Sequence, residues 1–246
     1  CTTNYVLLPR CRMTKFVYSI KLKTVIMKKL TFITVVLITV FVSSCTKEKQ
    51  GTQEVQNQKI ADVIPAKYLD TLKNLGISIN EGLTPPNVEG IYEINPVKSK
   101  ASNVPGDVPG SIFFANAKVK FYEQSNSDFS IRLLGKSILN INDSSISTAI
   151  SGAGNKFTVY GKVRTYSGSN TAIFGVVFSG EKDGSSIKNV EWGLINIDDS
   201  QDPDHAFIKE GQARLQYDTD FSSPTTNTLR LSLNQSIKIL KSSGEK

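Results

Sequence analysis

From Gly90 onward, apolar and polar side chains alternate with a period of two, and the alternation restarts after each break rich in Gly, Asn, Asp or Ser. It is plainest in SIFFANAKVKFYEQ, where Ala117, Val119 and Phe121 alternate with Lys118, Lys120 and Tyr122. GIYEINPV begins the pattern, and DFSIRLLGKSILNI, NKFTVYGKVRTY, TAIFGVVFSG, IKNVEWGLINI, AFIKEGQARLQYD and TLRLSLNQSIKIL repeat it. Successive side chains of a strand point to opposite faces, so this period demands β-structure with a buried face. The breaks fall at hairpin spacing, which predicts about eight or nine antiparallel strands in one all-β domain. A meander without long crossovers suits an up-and-down β-barrel of eight strands, which can hold one small apolar ligand, with a two-sheet β-sandwich as the alternative.

One short N-terminal helix precedes the strands. In IPAKYLDTLKNLG, Ile64, Tyr68, Leu72 and Leu75 share one face, Pro65 suits the first turn and Gly76 ends the run. That stripe is expected to pack on a sheet. Gly90-Ile91-Tyr92 after a helix resembles the start of the lipocalins, whose first strand carries glycine two places before a tryptophan; Tyr92 stands at that place here.

The chain is divided by charge. It holds 29 basic and 22 acidic residues, but 1–44 contain seven basic residues and no acidic one, so 22 of each sign remain from Cys45 onward. That remainder lacks a basic stripe interleaved with aromatics, which argues against a nucleic-acid partner. In KKLTFITVVLITVFVSSCTKEKQ, two lysines, an apolar run from Leu30 to Val42 and two serines follow the order of an export signal. The run is shorter than the roughly 20 apolar residues that a membrane-spanning helix needs. Residues 1–26 are expected to be an over-extended reading frame, with Met27 as the start.

VSSC, residues 42–45, resembles the lipobox of bacterial lipoproteins. The resemblance implies a diacylglyceryl group on the Cys45 thiol, cleavage just before Cys45, and a membrane partner reached through that lipid. Thr46 stands where an aspartate retains some lipoproteins in the inner membrane, so outer-membrane localisation is expected, on the periplasmic side or the cell surface. Cys1 and Cys11 lie upstream, which leaves no mature thiol for a disulfide or nucleophile. Residues 45–59, polar and without period, are expected to be a flexible tether, and 60–246 a single β-domain.

IPAKYLDTLKNLGISINEGLTPPNVEGIY, GNKFTVYGKV and FSGEKDGSSIKNVEWGLINIDD, the last followed by Gly211, Arg214 and Asp218, together resemble a family of uncharacterised lipoproteins common in Bacteroidetes. The resemblance covers most of the chain after Cys45. It implies an exported lipoprotein with a β-rich domain, and it brings no activity and no functional residue.

The chemistry-bearing residues are sparse. His205 is the single histidine, so a histidine zinc cluster is excluded, and it reads as a loop residue. No Gly-x-Ser-x-Gly elbow and no phosphate-cradling Gly-rich loop is present. Asp198, Ser200, Asp202 and Asp204 alternate as oxygen ligands do in a calcium loop, but Pro203 and Lys209 occupy the places of the required glycine and bidentate glutamate, so an acidic turn is the preferred reading. Glu81, Glu89, Glu93, Glu123, Glu191 and Glu210 are scattered, with no pair set at the spacing of glycoside hydrolysis. Trp192 reads as core, with outward stacking on a sugar as the alternative. The expected function is non-enzymatic binding of a small apolar ligand by a membrane-anchored lipoprotein, the alternative being a surface module for glycan or protein. A hydrolase has no motif behind it.

Overall fold

The computed structural model describes residues 51–139 and 143–230. Two helices open it, where the sequence pattern predicts one. The first, α1, spans 51–63, so the stretch expected to be a tether is helical from 51. Its buried face starts with a polar residue: Gln56 is 1% exposed, and its amide donates to the Gly82 carbonyl at 2.9 Å and the Ile150 carbonyl at 3.2 Å. A helix fastened through an amide shows no apolar period at that position, which explains why the sequence hides it. Lys59 fixes the same helix to the Asp128 carbonyl at 2.5 Å.

Pro65, extended at ψ 143, separates α1 from α2 (Ala66–Asn74). Tyr68, Leu69 and Leu72 form the buried face of α2. The helix ends as a Schellman motif. Gly76 takes the left-handed angle of +94°, its N–H donates to Lys73 at 2.9 Å, and the Ile77 N–H donates to Leu72 at 3.3 Å.

The strands are β1 (Gly90–Ile94), β2 (Val97–Ser102), β3 (Phe113–Phe114), β4 (Ala117–Ser125), β5 (Ser130–Lys136), β6 (Asp143–Ala153), β7 (Lys156–Ser167), β8 (Asn170–Asp183), β9 (Ser186–Gln201), β10 (Ala213–Asp218) and β11 (Ser222–Ser223). They form one antiparallel sheet in the order β1-β4-β5-β6-β7-β8-β9-β10-β2-β3, with β11 on β9. Each strand from β4 to β9 pairs with its successor, through short hairpins except for the longer loop 202–212 between β9 and β10. The sheet curls. β10 pairs with β2, which continues β1 after only Asn95 and Pro96. Beyond β11, the Glu93 N–H donates to Pro224 at 3.1 Å and the Thr226 N–H to Ile91 at 2.8 Å. The ladder therefore returns to the stretch of chain where it began. The seam of β5 on β6 is narrow, with backbone pairing at Leu134↔Ser144 and Gly135↔Asp143; further down, the Ser145 and Thr148 hydroxyls donate to the Leu133 and Ile131 carbonyls.

Two apolar clusters follow from the alternation. On the concave side Trp192 stacks on Phe178 with centroids 5.6 Å apart, Phe121 meets Phe178 edge-on at 5.8 Å, and Tyr92, Phe157, Val119 and Val176 close around them. Trp192 is fully buried, so it is core. On the convex side α2 and the bend before it lay Ile64, Leu69 and Leu72 on Tyr160, Val177, Ile195 and Leu215. Gly175 and Gly193 make this approach possible, since a Cβ on Gly193 would stand 2.6 Å from Leu72 Cδ2. Burying each of these large side chains contributes about 1.5–3 kcal/mol.

Candidate functional site

At the end of the curled sheet reached by β9 lies the loop 202–212, and its shape follows from its polar side chains. Asp202 is 5% exposed, and its carboxylate accepts the Ala206 N–H at 2.8 Å and the Phe207 N–H at 3.0 Å. The Asn196 amide donates to Ile208 at 2.5 Å, and Asp204 accepts from Asn170 at 3.1 Å. The bonds bring Phe207 edge-on to Phe174 at 6.1 Å. The result is a hollow of about 290 Å³ lined by Leu139, Thr165, Phe174, His205, Ala206, Phe207, Ile208 and Arg214.

Arg214 supplies the charge. On β10 its neighbours Ala213 and Leu215 belong to the cluster under the helices, so Arg214 points to the opposite, concave side, where Phe174 lies. Its guanidinium grips Asp107 in two bonds, Nε to Oδ2 at 2.7 Å and Nη2 to Oδ1 at 3.1 Å. The Ser102 hydroxyl donates to the same carboxylate at 2.7 Å. The guanidinium beside Asp107, helped by that hydroxyl, holds its carboxyl below the usual carboxylate range.

A second groove, of about 430 Å³, lies on the convex surface. Phe221, 55% exposed, stands 6.3 Å from the Tyr217 ring. Lys100 and Glu191 form an ion pair in the same groove, and Glu191 also accepts the Ser78 N–H at 2.6 Å. Ser78 and Asn189 complete its polar lining.

The residues singled out in the sequence are distributed as follows. Asp198, Ser200, Asp202 and Asp204 do not converge: Asp198 accepts the Ser200 N–H at 2.9 Å, Asp202 caps the loop, and Asp204 faces Asn170. Among the described residues no three acidic, His or Cys side chains form a metal cluster. Asp198 and Ser200 lie at the end of β9, which runs to Gln201, whereas Asp202 and Asp204 lie in the loop beyond it. His205, the expected loop residue, lines the hollow. Four of the glutamates serve ion pairs: Glu93 with Lys118, Glu123 with Arg132, Glu191 with Lys100, and Glu210 with Lys67. Glu89 accepts the Gln124 N–H at 2.8 Å. Cys45 lies outside the described residues. Sequence reasoning missed the Arg214–Asp107 pair, whose partners sit on β10 and in the connection between β2 and β3; Arg214 appears only in the motif that carries the family resemblance. Comparison with protein-family models, with curated proteins and with solved structures gives no match.

Proposed function

We propose that the chain is a non-enzymatic binding protein, anchored to the outer membrane through lipid on Cys45, that holds a small amphipathic molecule at the mouth of a lipocalin-like barrel. The barrel reading is supported by the pairing. Taking β1 with β2, β3 with β4 and β10 with β11 as single bent strands gives an eight-membered up-and-down ring, the number that encloses one small ligand. The interior below the mouth is filled by Trp192, Phe178, Phe121 and Tyr92, so a ligand is confined to the hollow under Phe207. About 290 Å³ lies at the lower end of small-molecule sites, about 300–1,000 Å³. The observation that carries the reading is the juxtaposition of a partly open guanidinium with the half-buried Phe207 and Ile208 in a hollow whose exposed lining is otherwise mainly polar.

Native mass spectrometry of the purified protein tests it: a co-purifying small molecule is expected, and its absence together with failure to bind any added amphiphile would sink it. The Tyr217–Phe221 pair on the convex groove favours a second reading, recognition of a glycan, because exposed rings beside amide, hydroxyl and ammonium groups match a sugar's CH face and hydroxyl rim. Loss of glycan binding in Phe221→Ala, with the mouth unaffected, is the outcome that reading requires.

A further inference from the structure

The Arg214–Asp107 pair ties the mouth to the connection between β2 and β3. Within NVPGDVPGS, Gly106 and Gly110 take left-handed angles of +88° and +85°, and Val108 is 61% exposed. Among the described residues, the hydrogen bonds that leave 104–109 go to Ser102, Ser111 and Arg214. At its base the same connection is held by Asn103, whose side-chain oxygen accepts the Ala213 N–H at 2.6 Å and whose N–H donates to the Ala213 carbonyl at 3.2 Å, and by Gly110 donating to Ser99 at 3.1 Å. Beyond its flanking residues, the tip hangs on one carboxylate. Arg214 keeps about a third of its side chain open, 34%, whereas Asp107 keeps 13%. A guanidinium takes a carboxylate in a two-pronged fork, and any other carboxylate that reaches it through the hollow finds the same geometry.

We infer that Asp107 occupies the place of a ligand carboxylate, so that the mouth takes a small amphipathic carboxylic acid whose head displaces Asp107 from Arg214 and releases the loop 104–109. The inference rests on the mouth being the binding site. Exchanging one carboxylate for another on Arg214 changes little by itself; the net attraction comes from contact of the tail with the half-buried Phe207 and Ile208, in a hollow whose exposed lining is otherwise mainly polar. Asp107 therefore lowers apparent affinity by the fraction of time it covers the guanidinium, and a tip latched nine-tenths of the time costs about tenfold.

Octanoate and 1-octanol are the probes, with binding read from the backbone amide signals of Ala206, Phe207 and Ile208 in an NMR titration of the purified protein. Octanoate and octanol are expected to bind the wild-type protein with similar affinity, because the exchange on Arg214 is nearly even. Asp107→Asn should tighten octanoate about tenfold and leave octanol unchanged, while Arg214→Gln should leave octanoate no tighter than octanol. Equal affinities for both probes in Asp107→Asn would overturn the inference and leave the hollow without a carboxylate site. No shift with either probe at millimolar concentration in any form would overturn the mouth reading itself, and the inference with it. If Arg214→Gln unfolds, the Asp107→Asn comparison alone decides, because that change keeps the shape of a partly exposed loop residue.

Discussion

Replacing Gly193 by alanine sets a methyl group against α2, and the structure fixes how badly it fits. The new Cβ would stand 2.6 Å from Leu72 Cδ2 and 3.3 Å from Leu72 Cδ1, where carbon atoms prefer about 3.5–4.0 Å. Leu72 is fully buried, so it has no solvent to retreat into. Overpacking of this kind costs about 1–3 kcal/mol. Leu72→Ala alone leaves a cavity under the helix and costs about 2–5 kcal/mol. In the double variant the leucine methyls are gone and the alanine methyl meets Ile77 Cδ1 at 3.4 Å as an ordinary contact. It fills part of the cavity instead of clashing, so the double variant should be more stable than the sum of the single losses by about 1–3 kcal/mol. Urea unfolding followed by far-ultraviolet circular dichroism measures all three. Additivity within about 0.5 kcal/mol would refute the claim that Gly193 is the floor on which Leu72 rests.

Two further outcomes are expected. Asp218 is fully buried, with one oxygen accepting the Ser223 hydroxyl at 2.6 Å and the other without a partner; burial first, then the nearby Asp220, push its pKa from 3.8 up to about 6. A carboxyl with a raised folded-state value favours the fold at low pH and loses that contribution as pH rises through 6, so Asp218→Asn should stabilise by about 1–3 kcal/mol above pH 6 and by almost nothing below pH 4, a difference that denaturation curves at the two pH values would show or disprove. Cys45→Ser should move the protein from the membrane fraction to the soluble one and abolish incorporation of a labelled fatty acid, since stable anchoring needs the acyl chains; continued sedimentation with membranes would mean another anchor.

Most strands were legible because their chemistry is local, although the first half of AFIKEGQARLQYD is loop and TLRLSLNQSIKIL lies outside the described residues from 231 onward. Ala117, Val119 and Phe121 advertise a buried face by spacing alone, and they line the concave core. α2 was legible for the same reason, from Tyr68 and Leu72 to the stop at Gly76. α1 was not, because Gln56 is buried through amide bonds to two distant carbonyls, and a buried amide looks solvated in a sequence. The aspartates after Ile197, read as an acidic turn in preference to a calcium loop, divide between the end of β9 and the loop 202–212 and serve separate hydrogen bonds. The mouth was out of reach for a different reason. Phe174, Phe207, Arg214 and Asp107 come from β8, the loop 202–212, β10 and the β2–β3 connection, so only the closure of the hairpins onto one another assembles them. A register shift between β2 and β10 beside Lys100 also changes which residues of β2 share a face, and no periodicity in the sequence marks it.

The most direct test of the account is the position of a bound octanoate, measured from intermolecular nuclear Overhauser effects between its methylene protons and assigned side chains. The account predicts contacts from the tail to the Phe174 and Phe207 rings and to Ile208, with the carboxylate end nearest Arg214. Contacts to Tyr217 and Phe221 on the convex groove instead, or none to Phe174 and Phe207, would contradict it.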